Sequence, residues 1–435
     1  MTPEGAPPAL IDEDRLYRKV VGRIVPLFFL GFVFSYLDRV NISLARLPMQ
    51  RDFGLSEHAF AIGASAFFWG YMLCEVPSNL LLQRFGARAW ISRIMVTWGL
   101  VSMLMVFSRN LTTFYSLRLL LGICEAGFVP GVLFYANQWL PTRRQSSMFA
   151  LFLLALPVAE IVGAPLSGFL VEYMDGAAGL HGWQWLFLVE GAPTVLLGIV
   201  IYALVRNSPA DAVWLSDAER CVLARNIGDL HGKSHRLADA FRNPRVWLLI
   251  TVMLLFNTSF YGLVFWLPTI VQSAGITRSS TVGLLTAIPF AVGGIAMVVT
   301  SQVAERLGRP REIATAAALI AAIGMFAAWL LVDHLALALA GLSVSVAGVL
   351  SLMPLYWTLP GRLLAGPAAA GGLALINSFG SFSGVLGVWV LGLAGISSGM
   401  AVFAGMLLAC TVLLYYAFNE RPRVEGTLQA AAAEP

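Results

Sequence analysis

The chain has 435 residues, of which 58% are hydrophobic and only 12% charged, against roughly 25% charged in ordinary globular proteins. Too few charges remain to cover a soluble surface, whereas its apolar residues, about 250, suffice for about a dozen helices of the ~20 residues that a ~30 Å hydrocarbon core requires. The net charge of +4 comes from 28 basic and 24 acidic residues spread along the chain, with no concentrated basic stripe of the kind that binds nucleic acid.

Residues 1–19 are polar and contain Pro, with no short apolar core followed by a small-residue cleavage site, so a cytoplasmic tail is expected rather than a removable signal. Apolar runs between charged or Pro/Gly-rich breaks then predict spans near 20–45, 57–82, 90–108, 111–140, 145–171 and 183–205. The segment 206–245 is the one long polar interruption, read as a cytoplasmic central loop. Further spans follow near 246–272, 281–304, 312–332, 335–359, 370–394 and 398–418, and 419–435 forms a second cytoplasmic tail. Stretches such as 91–107 and 192–205 are apolar nearly all round, which excludes the weak alternation of a membrane β-barrel. The fold class is therefore an all-α membrane protein of about twelve transmembrane helices in two six-helix bundles, 20–205 and 246–418.

The basic residues orient these spans. With the N-terminus inside, 22 of the 28 Lys and Arg fall on the cytoplasmic side, four (Arg46, Arg51, Arg109 and Arg278) on the other, and Arg39 and Arg118 within spans. Short cytoplasmic loops retain positive charge, so both termini are expected in the cytoplasm and the chain in an inner membrane. Cys74, Cys124, Cys221 and Cys410 are far apart, with no CxxC spacing, and point neither to zinc nor to a disulfide framework.

A signal recurs across the central interruption. Asn79–Arg88 reads NLLLQRFGAR and Ser301–Pro310 reads SQVAERLGRP, with Arg84-Phe85-Gly86 and Arg306-Leu307-Gly308 offset by 222 residues. Each lies at the cytoplasmic end of its half's second helix, where Gly permits a tight turn after a helix end. Repeated halves around a midplane site are how many transporters build alternating access. Arg84, Gly86, Arg88, Glu305, Arg306, Gly308 and Arg309 are accordingly candidate gating-loop residues, with two ordinary basic turns as the alternative.

Ionisable groups inside a span cost roughly 2.5–3.5 kcal/mol each and mark pathways or paired sites. Asp38, Arg39, Glu75, Arg118, Glu125, Glu160 and Glu190 lie within or near the edge of predicted spans, all in the first half. The second half has none at comparable depth, so a charged wall is expected to face a neutral, aromatic and amide wall. Arg118 and Glu125, with Gly122 between them, share one face of the fourth helix, and the small residue is expected to make room beside them. Arg118 reads either as a fork for a substrate carboxylate or as a packing Arg neutralised by Glu125. Asp38 and Arg39 are adjacent and so about 100° apart around the first helix; one is expected to face the pore and the other a neighbouring helix, with a local ion-pair brace as the alternative. No nucleotide-binding Gly-rich loop, catalytic triad spacing or metal-ligand cluster is visible, so the chain is read as neither an ATP-driven pump nor an enzyme, with no cofactor and no metal.

Six segments carry a family resemblance: LDRVNISLA at 37–45, EVPSNLLLQRFGAR at 75–88, RLLLGICEAGFVPG at 118–131, GAPLSGFL at 163–170, WQWLFLVEGAP at 183–193 and FWLPTIV at 265–271. The loop after the second helix resembles the loop signature of the major facilitator superfamily, and the first half resembles its anion:cation symporter family. The superfamily loop has Gly at its first position and Asp at its fifth; here these are Asn79 and Gln83, then Ser301 and Glu305. The resemblance implies Arg39 and Arg118 in anion binding and Asp38 and Glu125 in proton coupling. It also implies substrate-contacting roles for Tyr71, Trp357 and Asn377. The expected activity is proton-coupled uptake of a small organic anion, such as a sugar acid, a tartrate-like dicarboxylate or an aromatic acid, by a monomer in the lipid bilayer. Export of amphipathic compounds and a transporter-like sensor are the alternatives. Glu160 is left without a role.

Overall fold

The computed structural model describes residues 12–141, 151–227, 241–359 and 367–419, with the side chains of 367–374 and 417–419 apart. Arg143, Arg144, Lys233, Arg236, Arg362, Arg421 and Arg423, together with His231, His235 and most of both tails, lie outside the described residues.

Six spans form the first half. They are α1 (Glu13–Phe53), α2 (Glu57–Phe85), α3 (Ala87–Leu104), the pair α4 (Leu111–Glu125) and α5 (Phe128–Asn137), α6 (Ala155–Tyr173) and α7 (Gly182–Leu204). The second half holds α9 (Pro244–Ser273), α10 (Ser279–Leu307), α11 (Pro310–Leu330), α12 (Leu335–Trp357), α13 (Pro367–Ala394) and α14 (Ile396–Asn419). Among the described residues, twelve stretches are long and apolar enough to cross a membrane. Because spans alternate in direction, one end of the molecule carries the start of α1, the central segment and the end of α14. We call this the terminal end and the other the short-loop end.

Local chemistry sets the boundaries. Asp12 caps α1 by accepting from the Asp14 and Arg15 amides at 3.0 and 3.1 Å, and Gly54 closes it at φ 76°. Asn110 caps α4 through the Thr113 amide at 2.9 Å, and Pro244 opens α9 after the Asn243 cap. Such caps satisfy amides that the first turn leaves without partners. The sequence reading departs from the structure at three places. α1 begins within the expected tail. The span expected over 111–140 breaks after Glu125, where Gly127 adopts φ 88° before Pro130, a conformation that costs glycine nothing. The central loop also contains a helix, α8 (Asp217–Ile227).

The halves meet along several helix pairs. At the α6–α10 seam a methyl added to Gly283 would fall 2.1 Å from the Ala164 carbonyl, and one on Gly168 would fall 2.3 Å from that of Ser279. Close backbone approach through small residues is how helices associate in membranes. Between α2 and α13 the Trp69 and Phe382 rings meet edge to face at 5.9 Å. Between α1 and α9, Arg46 donates from Nε to Thr269 Oγ1 at 3.1 Å.

Candidate substrate site

Two of the buried charges of the first half, Asp38 and Arg39, are adjacent on α1 and engage different neighbouring helices. Arg39 points to α4, donating to Glu125 Oε1 from Nη2 at 2.6 Å and from Nε at 2.9 Å. The Ser35 hydroxyl, one turn earlier, donates to the same oxygen at 2.6 Å. Arg39 is 7% exposed and Glu125 is fully buried. Aromatic rings enclose the guanidinium: Tyr71 at 5.0 Å, Phe67 at 5.4 Å and Tyr36 at 5.6 Å from their centroids. These contacts add cation–π attraction in a place where water is scarce.

Asp38 turns the other way, as the 100° separation predicts. It accepts from Trp98 Nε1 and from the Ser102 hydroxyl, the latter at 2.6 Å, both on α3. Asp38 and Arg39 do not pair with each other; each engages a different neighbouring helix, and Arg39 does so through an ion pair between α1 and α4.

Arg118 differs from the expectation of an open fork. It is completely buried, its guanidinium lies 5.1 Å from the Phe67 ring, and none of its three nitrogens has a hydrogen-bond partner. Glu125 pairs with Arg39 rather than with Arg118. The electrostatic neighbours of Arg118 are Glu125, Asp38 and the like-charged Arg39, so it acts as a positive charge behind Phe67. Gly122 does not make room beside functional groups. A methyl there would sit 2.0 Å from the Phe67 carbonyl, so its smallness lets α4 press against α2. The helix break after Glu125 leaves that carboxylate on the last residue of α4.

At about 1.5 Å rise per residue, Arg39, Tyr71, Glu125, Glu160 and Tyr261 all lie about 20 Å from the short-loop ends of their helices. The second half meets this layer with neutral groups. Tyr261 faces Tyr36 and packs edge-on against Phe68 at 5.1 Å. Asn257 donates to Ser383 Oγ at 2.7 Å. No charged side chain is buried in the described part of the second half, which is the asymmetry the sequence predicts. Asn377 crosses between the halves, donating from Nδ2 to Glu75 Oε1 at 2.7 Å. Trp357 is the last residue of α12, about 33 Å by the same rise from that helix's short-loop end, and its ring lies against Tyr356. The structure therefore gathers Arg39, Tyr71 and Glu125 into one group, sets Asp38 and Arg118 beside it, and places Asn377 and Trp357 toward the terminal end.

Arg46 lies just past the span expected over 20–45, yet it is 3% exposed, bonded across the halves to Thr269 and paired with Glu57 at 3.4 Å. Its spacing of seven from Arg39 places both on one face of α1, a signal the apolar window ending at 45 concealed.

Of the gating-loop candidates, Gly86 adopts φ 83°, and Arg88 is tied to the end of α7. The Arg88 amide donates to Asn207 Oδ1 at 2.9 Å and its Nε to the Tyr202 carbonyl at 2.6 Å. Arg84 lies by the Phe85 ring. Gly308 ends α10 at φ 63°, with Glu305, Arg306 and Arg309 exposed around it. Among the described residues no group of three His, Cys, Asp or Glu could hold a metal.

Twelve membrane helices in two halves, joined over a buried charged layer, define a membrane transporter. Residues 28–388 match the Major Facilitator Superfamily, and the chain belongs to that family. It is 39% identical over 428 residues to a protein of Agrobacterium vitis provisionally named a tartrate transporter, covering 96% of this chain and 94% of that one. It is 36% identical over 426 residues to the quinolone resistance transporter of Acinetobacter baumannii, covering 95% and 98%. Among solved structures, the partially occluded inward-open xylose transporter XylE from E. coli superposes with a TM-score of 0.72 at 16% identity, over 92% of this chain and 98% of that one, a likeness of fold.

Proposed function

We propose that this protein is a proton-coupled symporter that takes up a small organic anion by alternating access, with the terminal end in the cytoplasm of a bacterial inner membrane. The observation that carries this reading is the Arg39–Glu125 pair. A substrate carboxylate and Glu125 compete for one guanidinium. Protonating Glu125 removes its charge and releases the Arg39 fork, which then matches the two oxygens of an incoming carboxylate. When the anion leaves, Arg39 draws Glu125 back to its ionised form. Proton and anion therefore bind together and leave together.

Tyr71, Tyr36 and Tyr261 enclose the place where the anion would sit and supply rings and hydroxyls for a short hydroxylated or aromatic acid. Asn377 and Glu75 extend the site toward the terminal end. Asp38, held by Trp98 and Ser102, and the charge of Arg118 tune the field at Glu125. Energetics favour a cation partner. An anion entering against an inside-negative potential meets about 2.3 kcal/mol per charge per 100 mV, which a co-transported proton cancels. The tartrate name of the A. vitis relative supports a dicarboxylate. The quinolone name of the A. baumannii relative favours a second reading, proton-coupled export of an amphipathic compound; the buried guanidiniums and the absence of a buried acid in the described second half weigh against a cationic substrate. The test is uptake by proteoliposomes under an imposed pH gradient with labelled organic acids. Proton-coupled export is an exchange of inward protons for outward compound, so acid-outside gradients that expel preloaded amphipathic compounds while leaving every organic anion untouched would establish the second reading.

A further inference from the structure

We infer that Glu160 is a second proton-binding site, placed at the seam between the two halves, whose protonation favours the conformation in which α6 and α10 are packed. The inference rests on the proton-coupled reading above and assigns a group that the central pair leaves without a role.

The position follows from the helix. Pro157, Glu160 and Ala164 stand at spacings of three and four and so share a face of α6. Their neighbours on that face belong to the other half: a methyl on Gly294 would fall 3.1 Å from Pro157 and one on Gly283 would fall 2.1 Å from the Ala164 carbonyl. Glu160, between them, therefore lies at the level where the halves touch. It is 2% exposed, and its Oε1 is buried with no hydrogen-bond partner. No ion pair offsets its charge among the described residues. An ionised carboxylate so placed is costly, and neutralisation by a proton is the usual resolution.

The surrounding elements supply no counter-charge. On α10 the stretch Ser279–Ala304 contains no ionisable side chain. On α1 the facing titratable group is Tyr36, itself opposite Tyr261 of α9. Arg39, on α1, is committed to Glu125. Glu190 of α7 is taken by the Ser167 hydroxyl at 2.6 Å, one turn or more along α6. When the seam parts, water reaches Glu160 and the carboxylate is stable; when it closes, one proton must be bound, taking the side chain from charge −1 to neutral. The packed state binds that proton more tightly, so acid favours packing and alkali favours parting. The same free energy links the proton to the conformational change that carries substrate.

The experiment places spin labels at Tyr173→Cys and Thr277→Cys, exposed positions flanking the seam at the short-loop end, in the full chain with Cys74, Cys124, Cys221 and Cys410 replaced. In the parent, raising pH increases the long-distance population, by up to about tenfold per pH unit, the limit for one linked proton. Glu160→Gln, neutral at every pH, holds the short distance at alkaline pH and flattens the response, while Glu160→Asp retains it. Infrared difference spectra provide a second readout: a protonated-carboxyl band in the parent that Glu160→Gln removes. A Glu160→Gln protein with the parent's pH midpoint and slope, or a parent with no pH response, overturns the inference. Uptake in the same preparation separates the two readings. If a pH gradient drives no uptake by the parent yet Glu160→Gln still abolishes the distance shift, the symport reading fails and Glu160 stands as a proton site.

Discussion

Arg39 and Glu125 are joined by two charge-assisted hydrogen bonds of 2.6 and 2.9 Å between α1 and α4, with almost no access to solvent. Breaking a buried pair from one side leaves a charge without compensation, at about 3–5 kcal/mol, whereas removing both charges is often neutral. Arg39→Met is therefore expected to lower thermal stability more than Arg39→Met/Glu125→Gln does, while both abolish anion binding. The check is a double-variant cycle of unfolding in detergent alongside substrate binding. Additive destabilisation would show that the pair is not the unit described here.

Glu125→Gln separates the two halves of the coupling cycle. The amide mimics the protonated acid, so Arg39 stays free for substrate while no proton is carried. Counterflow exchange should persist within about threefold and pH-driven accumulation should vanish, a loss of well over tenfold. Accumulation at the parent's level would remove Glu125 from the coupling role.

Arg118 is distinguished from Arg39 by access. With Arg118 wholly buried behind Phe67 and Arg39 on the aromatic-lined layer, Arg118→Lys should keep the positive field and retain a measurable share of transport. Arg39→Lys loses the bidentate match to a carboxylate and should cost roughly 2 kcal/mol or more in substrate binding. Equal losses in the two Lys variants, measured by substrate titration, would count against this ordering.

Much of this architecture is legible in the sequence because the bilayer forces it. The twelve spans, the charged first half and the neutral second half follow from the cost of polar groups in hydrocarbon. Three features escaped for physical reasons. Arg46 stood just past an apolar window, although its spacing from Arg39 marks it as a neighbour on the same helical face. Gly122 was read as room for side chains, whereas contact with the α2 backbone decides its size. α8 lay in a polar stretch, yet Ser216 and Glu219 form a capping box, with Glu219 accepting from the Ser216 amide at 2.8 Å and Ser216 Oγ from the Glu219 amide at 3.2 Å, a start signal readable from Ser-x-x-Glu.

The Lys19 ammonium bonds Glu219 at 2.8 Å and holds its carboxyl below the usual carboxylate range. Because the folded-state value is depressed, the stabilisation is present above the ordinary carboxylate pKa of about 4.3 and disappears as pH falls through the folded value. The pair is partly exposed, so at most about 1 kcal/mol is at stake, and salt should weaken it. Amide exchange across 217–227 should be relatively faster in Glu219→Gln than in the parent at pH 7, with the difference shrinking as pH falls below about 4.3. No difference between the two at pH 7 would mean that the helix is held to α1 by other contacts, such as that of Asn226 with the Tyr17 hydroxyl.

Arg46 supplies the most direct handle on closure at the short-loop end. It is buried on α1, donates to Thr269 of α9 at 3.1 Å, pairs with Glu57 and lies 5.7 Å from the Trp266 ring. These partners come from both halves, so the interaction holds only while α1 and α9 are together. A hydrogen bond from a charged donor is worth about 1.5–3 kcal/mol, enough to move a two-state population by roughly tenfold to a hundredfold. Thr269→Val removes the acceptor at nearly constant volume and leaves Arg46 to Glu57. It should raise the labelling rate of Val271→Cys, buried two residues along α9 from Thr269, by a membrane-impermeant thiol reagent added from the short-loop side, and Arg46→Ala should raise it further. If Thr269→Val and Arg46→Ala both label at the parent's rate, then closure is carried by the α6–α10 and α2–α13 seams, and Arg46 serves only to satisfy Glu57.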